Sequence, residues 1–493
     1  MPNPITRRRI LSQAGGLALG AACGPFIHLS RAADFPRPNF IFLLTDDQSY
    51  ATLSITGSPF MKTPNIDRIG REGVVFTNCF VAMSLCAPSR ACNLTGLYPH
   101  TNGIYNNGIR WNQELPTLPR TLHDAGYRTA HIGKFHMDGD DRVQPGYDYW
   151  AAQINQGTYE NPRKNINGQW VDLKGYDTQI ITGQAIEFIR STKRAQPFCV
   201  WLGYKACHAP FTPAPGYEKF LAGVEIKPPA SYFIDDPGKP ERVRRKMRGG
   251  EQRAARAKAK AKRKAAQVAE PQTPEQWAER ERNQYRSLMG VEDSVRRLFT
   301  LLEEQKLADD TIIVYAGDNG FFHGEHGLHG KMEAYEESLR VPMLARYPRR
   351  IKAGQRLDAF VANVDLAPTI LDFCGVKAPR PMQGRSWQPL VAGKPGAYRR
   401  RDAFLYEMFG AQATPEKPTV KALRTERYKL VLNLNPPDLE ELYDLQADPQ
   451  EMKNLATDKG HRELIVQLKR QMLEAMRELD DPAIAAVEAT LKG

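Results

Sequence analysis

The sequence predicts an α/β protein: a large, mostly parallel central sheet flanked by helices, with a small antiparallel sheet plus one helix at the C-terminal end. Three observations predict it. Between Phe40 and Tyr315, short runs of apolar and β-branched residues are each followed at once by a polar cluster. Such runs suit strands buried on both faces, which a parallel sheet covered by helices requires. The intervals carry helical patterns, and beyond about Arg400 the texture changes to closely spaced short strands.

In order along the chain, Phe40-Ile41-Phe42-Leu43-Leu44 predicts the first strand, running into Thr45-Asp46-Asp47. Thr63-Pro64-Asn65-Ile66-Asp67-Arg68-Ile69 predicts a helix, with a threonine cap and proline in the first turn. Pro88 and Ser89 suit the opening of a second helix, and Thr117 to Ala125 predicts a third. Tyr127 to Ile132 predicts a strand running into Gly133-Lys134-Phe135-His136, and Phe198 to Leu202 one that leads to Lys205 and His208. From Glu275 to Leu307, Leu288, Val291, Val295, Leu298 and Leu302 recur every three or four residues, the period of a helix with one buried face. Thr311 to Tyr315 predicts a strand running into Gly317-Asp318-Asn319-Gly320. The C-terminal strands are Ala403 to Met408, Val420 to Arg424, Tyr428 to Leu434 and Glu441 to Leu445; a helix from Arg462 to Leu479 carries Leu464, Leu468, Met472 and Met476 on one face. In open α/β sheets ligands bind beyond the carboxyl ends of the strands, so polar clusters at four strand ends predict one site.

Residues 1–33 read as an export signal. Arg7-Arg8-Arg9 precedes a mildly apolar run from Ala14 to Ala22, with Ser30-Arg31-Ala32 as a cleavage candidate, a pattern of the twin-arginine type. The expected destination is the periplasm or the exterior, with lipoprotein anchoring through Cys23 as an alternative. No segment approaches ~20 uninterrupted apolar residues, so no stable membrane insertion is expected. Beyond the signal, a catalytic domain over 34–395 and a C-terminal subdomain over 396–493 are expected. Seven cysteines, at 23, 79, 86, 92, 199, 207 and 374, show no paired spacing, which argues against a disulfide framework. The net charge of +12 is concentrated: Arg242 to Lys264 carry twelve Lys/Arg and one acid, Glu251. The rest of the chain is close to neutral, which argues against a nucleic-acid partner. Residues 237–274, around that run, read as a low-complexity surface insertion, helical or disordered.

Cys86-Ala87-Pro88-Ser89-Arg90-Ala91-Cys92-Asn93-Leu94-Thr95-Gly96 holds a potential nucleophile and a fixed cation four residues apart. If the helix opens at Pro88 and Ser89, Cys86 lies just before its positive end and Arg90 emerges one turn on, a seat for an anion. Taken alone, the cysteine also fits an ordinary buried thiol. Asp46 and Asp47, adjacent at a buried strand end, repel unless a cation neutralises them. Asp318 and Asn319 add oxygen donors at a second strand end. Hard oxygen donors without a His/Cys set suit Ca²⁺ or Mg²⁺ rather than zinc, although either pair alone also fits a solvated acidic turn. Alternation along an extended segment would point Lys134 and His136 to one side. His323, His326 and His329 are three apart and could form a metal cluster, but the glycines among them favour a loop.

The stretch from Cys86 to Gly96 resembles the signature of the sulfatase family, in which a cysteine followed by x-Pro-Ser-Arg and then Thr-Gly is oxidised to formylglycine. The likeness extends from near Phe40 through Tyr98-Pro99-His100 and Tyr335-Glu336-Glu337 to Glu441-Leu442-Tyr443-Asp444-Leu445. It implies an alkaline-phosphatase-like fold and a calcium ion bound by Asp46, Asp47, Asp318, Asn319 and the formylglycine oxygen at position 86. It further implies that Lys134 and Lys331 bind sulfate, that His136 acts on the aldehyde hydrate and that His208 faces the leaving-group oxygen. A sulfate monoester has three equivalent anionic oxygens, so Arg90, both lysines and the metal are expected around it. One hydroxyl of the hydrate would attack sulfur and the other expel sulfate, with His208 protonating the alcohol and His136 taking the proton. The implied partners are a sulfated small molecule or glycan and a formylglycine-generating enzyme met before export. The likeness is greatest to arylsulfatases and N-acetylglucosamine-6-sulfatases, so activity on aryl sulfates and on a sulfated carbohydrate is expected. Two alternatives stand beside this reading: a phosphomonoester or phosphonate ester hydrolase of the same superfamily, and a catalytically silent protein whose basic run grips a polyanion.

Overall fold

A computed structural model describes residues 37–137, 142–233, 236–244, 273–410 and 419–491. The export segment and most of the basic run lie outside them. Ten strands form one sheet in the order Gln355–Leu357, Val74–Phe76, Met343–Arg346, Thr311–Gly317, Asn39–Thr45, Phe198–Gly203, Arg128–Lys134, Tyr149–Gln153, Arg163–Ile166 and Gln169–Asp172. The five from Thr311–Gly317 to Tyr149–Gln153 are mutually parallel. Antiparallel pairing is confined to the flanks.

Period-two alternation places Phe40, Phe42 and Leu44 in the core on one face of the sheet, and Ile41 and Leu43 in the core on the other. Burying each such side chain contributes roughly 1.5–3 kcal/mol. Helices Pro64–Arg71, Asp177–Arg190 and Pro274–Glu304 cover the second face, while Cys86–Thr95, Leu118–Asp124 and Leu366–Cys374 cover the first. Among the described residues no helix is long and apolar enough to cross a membrane, and the six cysteines from Cys79 to Cys374 are all free thiols.

The register brings the functional strand ends level. Thr45 pairs with Gly317, Leu44 with Gly203, and Gly203 with Gly133. The residues just beyond these strands therefore emerge along one edge of the sheet.

The C-terminal sheet runs Ala403–Phe409, Thr419–Thr425, Tyr428–Asn435, Glu441–Asp444, all antiparallel. Leu405, Leu423, Leu430 and Leu442 on one face pack against helix Arg462–Glu478. Ile465 and Leu473 join Leu468, Met472 and Met476 in the buried stripe, while Leu464 is only partly buried, so the stripe sits slightly off the expected one. Phe404, Tyr406, Met408 and Val420, on the other face, share a core with Phe80, Leu85 and Cys92. The sheet thus backs the segment that carries Cys86. The expected surface insertion also begins inside the protein. Lys239 is buried, its ammonium donating to Tyr443 Oη at 2.9 Å and lying over the rings of Tyr335 and Tyr443, and Arg242 pairs with Glu333. Basic composition hides this anchor, because Lys and Arg stems pack well on aromatic surface.

Candidate active site

Cys86 opens helix Cys86–Thr95 rather than preceding it. Leu85 is the cap, extended at φ −148°, and the Ser89 amide donates to the Leu85 carbonyl over 2.9 Å. Pro88 lies inside the first turn, where a missing N–H costs no hydrogen bond; it marks the turn and not the first residue. Positions 86 and 90 share a helix face. Arg90 is buried, with Nε and Nη2 each 2.9 Å from Asp318 Oδ2, and Nη1 donates to the Lys134 carbonyl at 2.8 Å. Its guanidinium therefore braces Asp318 and a strand end instead of facing open space.

Asp46 and Asp47 leave strand Asn39–Thr45 and Asp318 leaves Thr311–Gly317, all buried. The Asp47 amide donates to Asp318 Oδ1 at 3.1 Å, and Asp47 holds φ at 54°, a backbone cost paid at the site. Burial pushes the Asp46 carboxyl up, but Lys134, then His208, Arg90 and Lys331, outweigh it and hold it well below the usual range. Asp47 is lowered in the same way, chiefly by Lys331 against burial. Asp318 goes the other way: burial and the neighbouring Asp46 push it up to about 7 despite Arg90.

Lys134 ends its strand and its ammonium pairs with Asp46. His136 lies beyond the strand, at φ 57°, so simple alternation does not place it. It meets Lys134 through Gln156, whose Oε1 is 2.5 Å from Lys134 Nζ and whose Nε2 is 3.4 Å from His136 Nε2. Nothing in the sequence singles out Gln156. Lys331 pairs with Asp47 and lies 2.8 Å from Cys86 Sγ. His208 places Nε2 3.5 Å from Asp47 Oδ2, and its Nδ1 donates to the Ala209 carbonyl at 2.7 Å. Burial lowers both histidines: for His136 Lys134 adds to it, and for His208 it outweighs Asp47.

All ten expected site residues therefore converge. The histidine trio does not: His323 pairs with Glu281, His326 with Glu337, and His329 lies against Tyr232. Among the described residues, ligand atoms of Asp46, Asp47, Cys86 and His208 lie within 4.8 Å of one another. Asn319 Nδ2 donates to Asp47 Oδ1 at 2.8 Å, while its Oδ1 is buried without a hydrogen-bond partner. That orphaned oxygen, the crowded carboxylates and the hard donor set fit a divalent cation of the calcium or magnesium kind. Charge points the same way. With all three carboxylates ionised, Asp46, Asp47 and Asp318 only balance Arg90, Lys134 and Lys331, and a further positive charge both keeps Asp318 ionised and leaves an excess for an anion. The Cys86 thiol is pushed up to about 12 by burial, against the pull of Lys134 and Lys331, and is protonated at neutral pH. A protonated thiol is a poor nucleophile.

Comparison with known proteins identifies a family. A family model described as Sulfatase matches residues 38–376, and one described as N-sulphoglucosamine sulphohydrolase, C-terminal, matches residues 324–478. The chain is 33% identical over 499 residues to an N-acetylglucosamine-6-O-sulfatase of Bacteroides thetaiotaomicron, covering 92% of this chain and 87% of that one. It is 31% identical over 434 residues to the N-acetylglucosamine-6-sulfatase of Homo sapiens, covering 83% and 73%. A solved structure of a protein in complex with its substrate D-glucosamine-2-N,6-O-disulfate superposes with a TM-score of 0.81 at 32% identity, over 90% of this chain and 99% of that one.

Proposed function

Because the chain belongs to the sulfatase family and is a sulfuric ester hydrolase, we propose that it releases sulfate from a sulfated carbohydrate, using formylglycine made from Cys86 and one calcium ion. The observation that carries the reading is the packing of three carboxylates and three fixed cations around a buried residue 86, with Lys331 Nζ 2.8 Å from its side chain. The relatives named for N-acetylglucosamine sulfate esters, and the neighbour bound to a sulfated glucosamine, support a sulfated amino sugar.

Asp46, Asp47, Asp318 and Asn319 would hold the calcium ion, which supplies positive charge to the sulfate oxygens and acidity to a bound hydroxyl. Formylglycine at position 86 would supply, once hydrated, one hydroxyl to attack sulfur and a second whose loss of a proton expels sulfate together with the attacking oxygen and restores the aldehyde. Lys134 and Lys331, paired with the adjacent Asp46 and Asp47, bind the sulfate oxygens. Arg90 keeps Asp318 in place and stands behind the seat. Because His208 Nδ1 is committed to the Ala209 carbonyl, Nε2 is the atom that faces the departing alcohol, and it hands over a proton only from the doubly protonated ring, which Asp47, 3.5 Å away, favours. His136 accepts the proton released as sulfate leaves. The reading carries with it twin-arginine export and an encounter with a formylglycine-generating enzyme beforehand.

Paired aryl sulfate and aryl phosphate substrates with the same leaving group test the reaction class. The sulfate ester is expected to turn over faster. A large preference for phosphate would move the protein to the phosphomonoester or phosphonate hydrolases, and turnover of neither ester nor of sulfated amino sugars would leave the silent polyanion-binding reading.

A further inference from the structure

Gln156 touches both residues of the Lys134–His136 pair, and the donors and acceptors on either side leave it one orientation. An ammonium only donates, so the amide oxygen faces Lys134, at 2.5 Å. The amide NH₂ then faces His136, and since it too only donates, His136 Nε2 meets it with a lone pair, at 3.4 Å. We propose that Gln156 is a positioning residue: it fixes His136 as the tautomer protonated on Nδ1, so that Nε2 is the nitrogen that accepts a proton, and it aims Lys134 at the sulfate. The contact at 3.4 Å is long enough to orient that lone pair without consuming it. Lys134 has three N–H groups; Asp46 takes one, Gln156 a second, and the third is left for a sulfate oxygen. The proposal rests on the reading of His136 as proton acceptor in sulfate release.

Gln156 is itself held. The Gly157 amide donates to the Ile154 carbonyl at 3.0 Å, closing a turn, and Gln153 Nε2 reaches the Gln156 carbonyl at 3.4 Å. Gln153 Oε1 accepts from Lys164, whose ammonium is 2.7 Å from Asp177 Oδ1, both side chains being fully buried. A buried ion pair is expensive, and this one ends on the side chain that supports the turn. Gly157, at φ 59°, leaves no room for a side chain: a Cβ would lie 2.7 Å from Gln153 Nε2.

Gln156→Glu tests the proposal with little change of shape. It keeps the acceptor toward Lys134 but replaces the donor toward His136 with an acceptor, so Nε2 must now carry a proton. Long-range ¹H–¹⁵N correlation spectra of histidine-labelled full-length protein, with His136 assigned by its loss in His136→Gln, read the tautomer directly. The expected result is Nδ1 protonated in the parent and Nε2 protonated in Gln156→Glu. On an aryl sulfate, kcat of Gln156→Glu is expected to fall by on the order of tenfold or more, with a rise in KM from the new carboxylate beside Lys134; Gln156→Ala, which adds no charge, should raise KM less. A parent protein protonated on His136 Nε2, an unchanged tautomer in Gln156→Glu, or a parent-like kcat in that variant would overturn the proposal. Full activity of His136→Gln would instead overturn the reading of His136 on which it rests, whatever the spectra show.

Discussion

At position 86 burial keeps the encoded thiol protonated even with two lysines beside it. The residues around it are charged for a different task, holding an anion. Lys331 is the sharpest case, since it spans from Asp47 to Cys86 and has little else to do. Lys331→Ala is expected to lower kcat/KM on an aryl sulfate by about 10²–10³-fold, the usual cost of removing one preorganised charge donor; an unchanged value would take Lys331 out of the sulfate site. The carboxylates and the Lys134–His136 pair were legible because each sits in a short motif at the end of an apolar run: Asp46-Asp47, Gly133-Lys134-Phe135-His136, Asp318-Asn319; Lys331, in a glycine-rich loop, was legible only through the family resemblance. Gln156 was not. It arrives through a turn after strand Tyr149–Gln153, and its meaning lies in two contacts across about twenty residues of sequence that no local pattern records. Arg90 was legible as a cation but not as a brace, because only the fold shows that Asp318 and the Lys134 carbonyl occupy it.

Elements were read with more success where one physical signal dominated. Strands Asn39–Thr45 and Thr311–Gly317 lie where apolar, β-branched runs put them, buried along their whole length. Helix Pro274–Glu304 buries Leu288, Val291, Val295, Leu298 and Leu302 as the spacing required. Two competing signals displaced the start of helix Cys86–Thr95: proline fits the first turn at several positions, and the extended Leu85 supplies the boundary. The glycine before Lys134 has a reason that appears only in the sheet. Gly133 holds φ at 101° opposite Gly203, and a Cβ on it would come within 2.0 Å of the Gly203 carbonyl oxygen. Opposed glycines let two strand ends close together, which brings the Lys134 carbonyl onto Arg90 and sets their charges against neighbouring carboxylates, Lys134 on Asp46 and Arg90 on Asp318.

Across the whole molecule the C-terminal sheet is part of the active site's support. Ser84 Oγ lies 2.9 Å from Tyr406 Oη, Phe80 stacks on Phe404 at 5.3 Å, and His100 Nδ1 lies 2.8 Å from Glu407 Oε2. The sequence showed both layers but not this seam, since packing between distant segments leaves no periodic trace. Charge makes the seam pH-sensitive. Burial lowers His100, but its hydrogen bond and charge contact with Glu407 outweigh that and raise it; Glu407 falls to about 2 because Lys421 and His100 outweigh its burial. A raised histidine stabilises fully below its unfolded value, ~6.5, and loses that contribution as pH rises through its folded value. The carboxylate contributes above ~4.3 and loses it only as pH falls through the low folded value. Denaturant unfolding should therefore show stability declining above about pH 6.5 in the parent and a flatter limb in His100→Gln; identical limbs would contradict the seam's role. The central claim concerns what residue 86 becomes, and intact-peptide mass spectrometry of the fragment containing it, taken from fully active enzyme, is the most direct test. The account predicts that sulfur and two hydrogens have been exchanged for one oxygen, giving formylglycine. An unmodified thiol at residue 86 in fully active enzyme would contradict it.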